Sequence, residues 1–95
     1  MLKENQIFAA PLAGITDKPF RKIIRKFSPD VNLVTEMISC HSLVGRHANC
    51  ARNFDRYDDE GNIGAQIFGA EPHLMAEAAK ILAGQGAKWI DINMG

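Results

Sequence analysis

Four short apolar segments at a near-constant spacing constrain this chain more than anything else in it. Ile7-Phe8-Ala9-Ala10-Pro11-Leu12, Leu33-Val34-Thr35-Glu36-Met37, Ile63-Gly64-Ala65-Gln66-Ile67-Phe68 and Trp89-Ile90-Asp91-Ile92-Asn93 begin 26, 30 and 26 residues apart. Each has the length of a strand and is bounded by Gly, Pro, Asn or Asp. The stretches between them read as helices. Thr16 or Asp17 is placed to cap the first, with Pro19 in its first turn, Phe20, Ile23, Ile24 and Phe27 as its apolar stripe and Pro29 as its stop. Pro72 opens another, where Leu74, Ala78 and Leu82 recur at helical spacing beside Met75 and Ala79 until Gly84 and Gly86 end it. From Ser39 to Tyr57 the pattern is weaker. It predicts a short helix near Ser42 to Cys50, then a polar turn through Asp58, Asp59, Glu60 and Gly61.

The predicted order is β-α-β-α-β-α-β, an α/β chain. Eight units at this spacing would take roughly 220 residues, the usual size of a (β/α)8 barrel. The expectation is therefore a partial (β/α)8 TIM barrel: three βα units plus the fourth strand. The sequence stops on that strand, at Asn93-Met94-Gly95, so residues 1–95 are expected to be the amino-terminal portion of a longer barrel domain. Composition agrees with a packed domain, since 46% of residues are hydrophobic. Eleven basic residues balance eleven acidic ones, which removes any global attraction to nucleic acid or to an acidic membrane. No apolar run approaches the length of a membrane span, and Pro11 and Glu4 spoil the segment from Ile7 to Ile15 as a signal peptide. Two cysteines and no N-x-S/T sequon make a reducing, cytoplasmic setting the expectation.

In a parallel barrel, strand side chains alternate between lumen and helix layer, and the active site lies at the strand C-terminal ends. Ile90 and Ile92 are assigned to the helices, which turns Trp89, Asp91 and Asn93 inward. Likewise Ala65 and Ile67 face out while Gly64, Gln66 and Phe68 face in, Glu36 shares the inner face with Val34, and on the opening segment Ala9 is assigned to the lumen. Glu36, Gln66, Asp91 and Asn93 thus converge on the upper lumen, where burial without partners would cost about 1–3 kcal/mol each. Either they satisfy one another in a structural layer or they serve a ligand. For Glu36 and Asp91 the two readings are balanced; for Gln66 and Asn93, late on their strands, function is favoured. Ala9-Ala10-Pro11-Leu12-Ala13-Gly14 offers small side chains and accessible backbone, which suits a flat ring lying across the strand end.

These residues carry a resemblance. Ala10-Pro11-Leu12-Ala13-Gly14-Ile15-Thr16-Asp17 followed by Phe20-Arg21, then Thr35-Glu36-Met37, Gln66-Ile67-Phe68-Gly69 and Asp91-Ile92-Asn93-Met94-Gly95, resembles in order and spacing the tRNA-dihydrouridine synthases. The resemblance implies an FMN-binding (β/α)8 barrel followed by a C-terminal helical domain. It implies reduction of FMN by NADPH, hydride transfer to C6 of a uridine in tRNA, and delivery of a proton to C5 by a cysteine. Carried over, Pro11, Leu12 and Ala13 contact the flavin ring through their backbone, Gln66 bonds the polar edge of the isoalloxazine, Asn93 sits beside flavin and uracil, and Glu36 has an orienting role. In the family the catalytic cysteine directly follows N-M-G, and this sequence ends at Gly95. The expectation is therefore no catalytic residue within the chain, weak or no FMN binding, no activity of the chain alone, and a homo-oligomer that covers its open edges.

The remaining features read more plainly. Cys40, His41, His47 and Cys50 lack the usual zinc-ligand spacing, so no metal is expected. Lys18, Arg21, Lys22, Arg25 and Lys26 are assigned to a solvated helix face in preference to a tRNA-facing patch. Two alternatives stand beside the tRNA-uridine reductase: another FMN-dependent barrel oxidoreductase acting on a small molecule, and a non-catalytic half-barrel that serves as an oligomerising module.

Overall fold

The computed structural model describes residues 6–45, 54, 56 and 60–95. In chain order they form α1 (Lys18–Phe27), β1 (Leu33–Ser39), α2 (Cys40–Gly45), β2 (Ile63–Phe68), α3 (Pro72–Gly84) and β3 (Ile90–Ile92). The three strands make one parallel sheet in the order β1-β2-β3. The fold is α/β, with a core of Leu33, Ile38, Leu43, Ile63, Ala65, Ile67, Ala78 and Leu82 between the sheet and α2 and α3. Ala65 and Ile67 face the helices, as their alternation with Gly64 and Gln66 predicts. Ile90 packs on the same core, whereas Ile92, one step past the cover of α3, is half-exposed.

The helix ends follow local chemistry. Asp17, not Thr16, caps α1: its Oδ1 accepts the Phe20 N–H at 2.9 Å. Ser39 Oγ accepts the Ser42 N–H at 3.2 Å, so α2 starts directly from the strand, two residues before the predicted Ser42. Its predicted extension to Cys50 and the turn residues Asp58 and Asp59 lie outside the described residues. At the end of α3, Gly86 adopts φ 105°, the Gly86 N–H reaches Ala83 C=O and the Ala87 N–H reaches Leu82 C=O, closing the helix in a Schellman arrangement.

Four expectations need correction. The opening segment is not a strand. It meets the sheet at one parallel bridge, Phe8 to Asn32, where the Ala9 N–H donates to Asn32 C=O and the Asn32 N–H to Ile7 C=O, both at 2.9 Å. Pro11 has no N–H to extend the ladder, and Leu12 spends its C=O on the N–H groups of Ile15 and Thr16. That register also puts Phe8, rather than Ala9, beside Trp89 (ring centroids 5.6 Å, interplanar angle 83°), while Ala9 packs on the helix-side core.

On β1 the alternation breaks. Val34 pairs with Gly64 but Met37 pairs with Gln66, so Thr35 and Glu36 together oppose one residue in a bulge. Glu36 therefore does not share a simple face with Val34, and Met37 takes the place beside Gln66. The bulge is stabilised locally, because Thr35 Oγ1 accepts the Gln66 N–H at 3.2 Å and donates to Glu36 C=O at 3.0 Å.

The two faces of α1 are nearly the reverse of those predicted. Ile23 is 59% and Phe27 79% exposed, and of the stripe only Ile24 reaches the core. Arg21, assigned to solvent, is 2% exposed and forks onto Glu60, with Nε to Oε1 at 2.7 Å and Nη2 to Oε2 at 3.3 Å. Glu60, read as part of a polar turn, is equally buried. Arg25 donates to the carbonyls of Glu60, Pro29, Val31 and Asn62. A buried carboxylate that must be paired draws the guanidinium side of the helix inward, and the apolar side turns out.

Candidate functional site

The polar side chains converge at the C-terminal ends of the strands. Gln66 and Asp91 are paired in register on adjacent strands, and Gln66 Nε2 donates to Asp91 Oδ2. That bond fixes the amide, since only its nitrogen can donate to a carboxylate. Gln66 Oε1 then accepts from Asn93 Nδ2 at 3.4 Å. Asn93 Nδ2 also donates to Met37 Sδ at 3.1 Å, and Asn93 Oδ1 accepts the Gly95 N–H at 2.8 Å. Asp91, Gln66 and Asn93 form a continuous ladder, so the structure brings these three together. It has the form of a layer whose members satisfy one another, and its upper end borders an open, largely apolar shelf of Met37, Phe68, Ile92, Met94 and Gly95.

Glu36 lies apart from that ladder. Its Oε1 accepts the Gly14 N–H at 2.6 Å, tying β1 to the turn after Pro11. This turn is held from a second side by Thr16, 1% exposed, whose Oγ1 accepts the Leu12 N–H at 2.7 Å. Gly14 takes φ 77°, a left-handed value that a side chain disfavours. Leu12 and Gly14 thus have their N–H groups engaged, while the Ala13 N–H between them makes no hydrogen bond among the described residues. The turn presents Pro11 and the unengaged edge of Ala13 at the surface, beside the exposed side chains of Leu12 and Ile15.

Beneath the turn, Phe8, Ala9, Ala10, Pro11, Val34, Trp89 and Asp91 line a cavity of about 400 Å³. Trp89 lies flat against Gly64, whose missing Cβ makes room for the indole. A larger concavity of about 800 Å³ opens at the opposite end of the strands, around Arg25, Asn32, Glu60 and Asn62. There the Arg25 guanidinium is already committed to four backbone carbonyls, so that end is braced rather than reactive.

Cys40 is buried under the sheet on the helix side, and burial pushes its thiol above the ordinary range, against the lowering effect of a hydrogen bond from its own backbone. Its side chain is part of the helix-side core, away from the polar ladder at the strand ends. Cys50 and His47 lie outside the described residues. The Arg21–Glu60 pair and the Met37–Asn93 contact were missed by the sequence reading. Only the position of Arg21, four residues after a helix cap and on the side of Ile24 and Arg25, hinted at the first.

The dihydrouridine synthase (Dus) family model matches residues 8–95. The chain is 38% identical over 92 residues to tRNA-dihydrouridine synthase B of Vibrio cholerae, covering 97% of the chain and 28% of the relative. It is 41% identical over 97 residues to a probable tRNA-dihydrouridine synthase of Rhizobium leguminosarum bv. phaseoli, covering 100% and 29%. With tRNA-dihydrouridine synthase B of Escherichia coli K12 the identity is 40% over 91 residues, covering 96% and 28%. The chain therefore spans less than a third of the length of the curated relatives it matches.

Proposed function

We propose, for a chain that belongs to the dihydrouridine synthase family, that these residues form the amino-terminal, flavin-facing part of a (β/α)8 barrel. In the whole protein that barrel, with a C-terminal helical domain, reduces uridine in tRNA to 5,6-dihydrouridine in the cytoplasm with FMN and NADPH. The observation that carries the reading is the pairing of two features at one end of the sheet: a backbone turn with an unengaged Ala13 N–H, and an amide ladder ending at Asn93.

The residues fit a flat, hydrogen-bonding ring. Pro11 and Ala13 offer a low surface, and the exposed Ala13 N–H is a donor that a ring acceptor could take from water. Asp91 takes one N–H of the Gln66 amide and leaves the other for the polar edge of the ring. FMN, when bound, would supply hydride chemistry at uracil C6, with NADPH as the reductant. Asn93, held by Gln66 and Gly95 beside the apolar shelf, orients the uracil. Glu36 acts indirectly, by fixing Gly14. The proton for C5 is assigned to no residue of these 95, and no cation is assigned to the flavin phosphate. The chain by itself is accordingly expected to be inactive and to bind FMN weakly.

The test is direct. The full-length protein bearing these residues is incubated with NADPH and tRNA lacking dihydrouridine, and the product nucleoside is measured by mass spectrometry. A two-dalton gain at uridine that requires both FMN and NADPH supports the reading; flavin-loaded protein that oxidises NADPH but leaves tRNA unchanged refutes it.

A further inference from the structure

We propose that Arg21 and Glu60 are positioning residues for the turn from Leu12 to Thr16, and through it for the flavin ring; the inference rests on the flavin reading above. The two side chains come from positions 39 residues apart, yet both are 2% exposed and joined by two nitrogen–oxygen contacts. Arg21 does more than neutralise Glu60. Its Nη1 donates to Thr16 C=O at 3.1 Å, and the same Thr16 holds the Leu12 N–H with its hydroxyl. The connection runs from Glu60 through the planar guanidinium to Thr16 and on to Leu12, the residue before the unengaged Ala13 N–H.

Two features mark this as positioning rather than bulk packing. A fork-shaped guanidinium fixes direction as well as distance, which an apolar pair of similar volume does not. The chain of bonds also ends on backbone that the hydrophobic core does not hold: Leu12, Ala13, Gly14 and Ile15 are all exposed. Among the described residues the side chains that hold the turn's N–H groups are Thr16 and Glu36, and Arg21 anchors Thr16. Losing one charge-assisted bond of this kind shifts the turn's closed-to-open ratio about 10- to 100-fold. When the open form dominates, the apparent Kd for a ring that needs the closed form rises in proportion.

The experiment uses the full-length protein and three variants: Glu60→Gln, Thr16→Val, and Arg21→Lys, which leaves a cation beside Glu60 but cannot fork to Thr16. FMN Kd is read by flavin fluorescence, and hydrogen exchange is followed at the Leu12 and Gly14 amides against Ile67 and Leu82 as core references. The expected result is a rise of tenfold or more in FMN Kd, with Leu12 exchange faster by a similar factor and the core amides unchanged. Should Glu60→Gln fail to fold, Arg21→Lys and Thr16→Val decide the matter. Unchanged Leu12 exchange, or acceleration spread equally over Ile67 and Leu82, overturns the inference. So does a loosened turn with an unaltered FMN Kd, which leaves the flavin reading standing; failure of the unsubstituted protein to bind FMN overturns the flavin reading itself.

Discussion

Gly64→Ala isolates one contact on which the inner face of the sheet depends. Gly64 is buried in the middle of the fold, opposite Val34 in register, and a Cβ built there would lie 2.6 Å from Trp89 Cδ1 and closer still to Nε1 and Cε2. Ordinary carbon contacts begin near 3.5 Å, so the indole would have to withdraw by about 1 Å or more. Its backbone and its ring contact both oppose that shift. The Trp89 C=O accepts the Ala65 N–H at 3.1 Å, and the ring meets the edge of Phe8. Overpacking of this kind costs about 1–3 kcal/mol. Replacing glycine also restricts the unfolded chain, which returns about 0.4–1 kcal/mol. The expected net loss is roughly 1–2 kcal/mol, or about 1 M in the urea midpoint for a chain of this size. Unfolding is followed by far-ultraviolet circular dichroism, so that variants at Trp89, the single tryptophan, are measured on the same scale. In a Trp89→Leu background the added methyl has room, and Gly64→Ala should become neutral or stabilising. An unchanged midpoint for the single substitution, or the same loss in both backgrounds, would refute the reasoning.

Asp17→Ala removes the side-chain cap of α1 and should lower stability by about 1 kcal/mol; a midpoint unchanged in the same urea titration would count against that cap. In the full-length protein, Asn93→Ala should slow uridine reduction more than flavin reduction, measured as separate half-reactions by stopped flow, and equal losses would contradict its place beside the uracil. Cys40 should resist alkylation at pH 8 until the chain is unfolded in urea, with peptide mapping to separate it from Cys50. Because burial raises the folded thiol's pKa, its contribution to stability is full below the unfolded value of about 8.5 and is lost as pH rises through the folded one, so the part of stability that Cys40→Ala removes should fall on the alkaline side. The chain by itself should sediment as a dimer or larger at micromolar concentration, since α1 exposes Phe20, Ile23 and Phe27; a well-folded monomer whose unfolding is independent of concentration would overturn this.

What could be read from the sequence is what short-range patterns encode. The alternation in Ile63 to Phe68 assigned Ala65 and Ile67 to the helix side because a strand has a strict period of two and one face of this one is tightly buried. Pro72, Gly84 and Gly86 bounded α3 because each acts on its own backbone. The convergence of Gln66, Asp91 and Asn93 was legible for the same reason. The opening segment was over-read, since its composition suits a strand while Pro11 and the turn after it withdraw the backbone groups a ladder needs.

The misreadings share a physical origin. Inserting one residue at Thr35 and Glu36 changes no composition, yet it resets the face of everything after it, so Met37 rather than Glu36 meets Asn93. Along α1, a stripe of Phe and Ile beside a stripe of Arg and Lys looks the same whether the helix buries one or the other. Its orientation is decided by Glu60, which must find a cation once it is buried, and whose need cannot be seen from residues 18–27. Arg21 meets it, and in doing so turns Ile23 and Phe27 outward and brings a donor under Thr16. A single long-range ion pair therefore settles three things that local pattern left open: which face of α1 is buried, what supports the Leu12–Thr16 turn, and why the helix offers an apolar surface to whatever lies beside it.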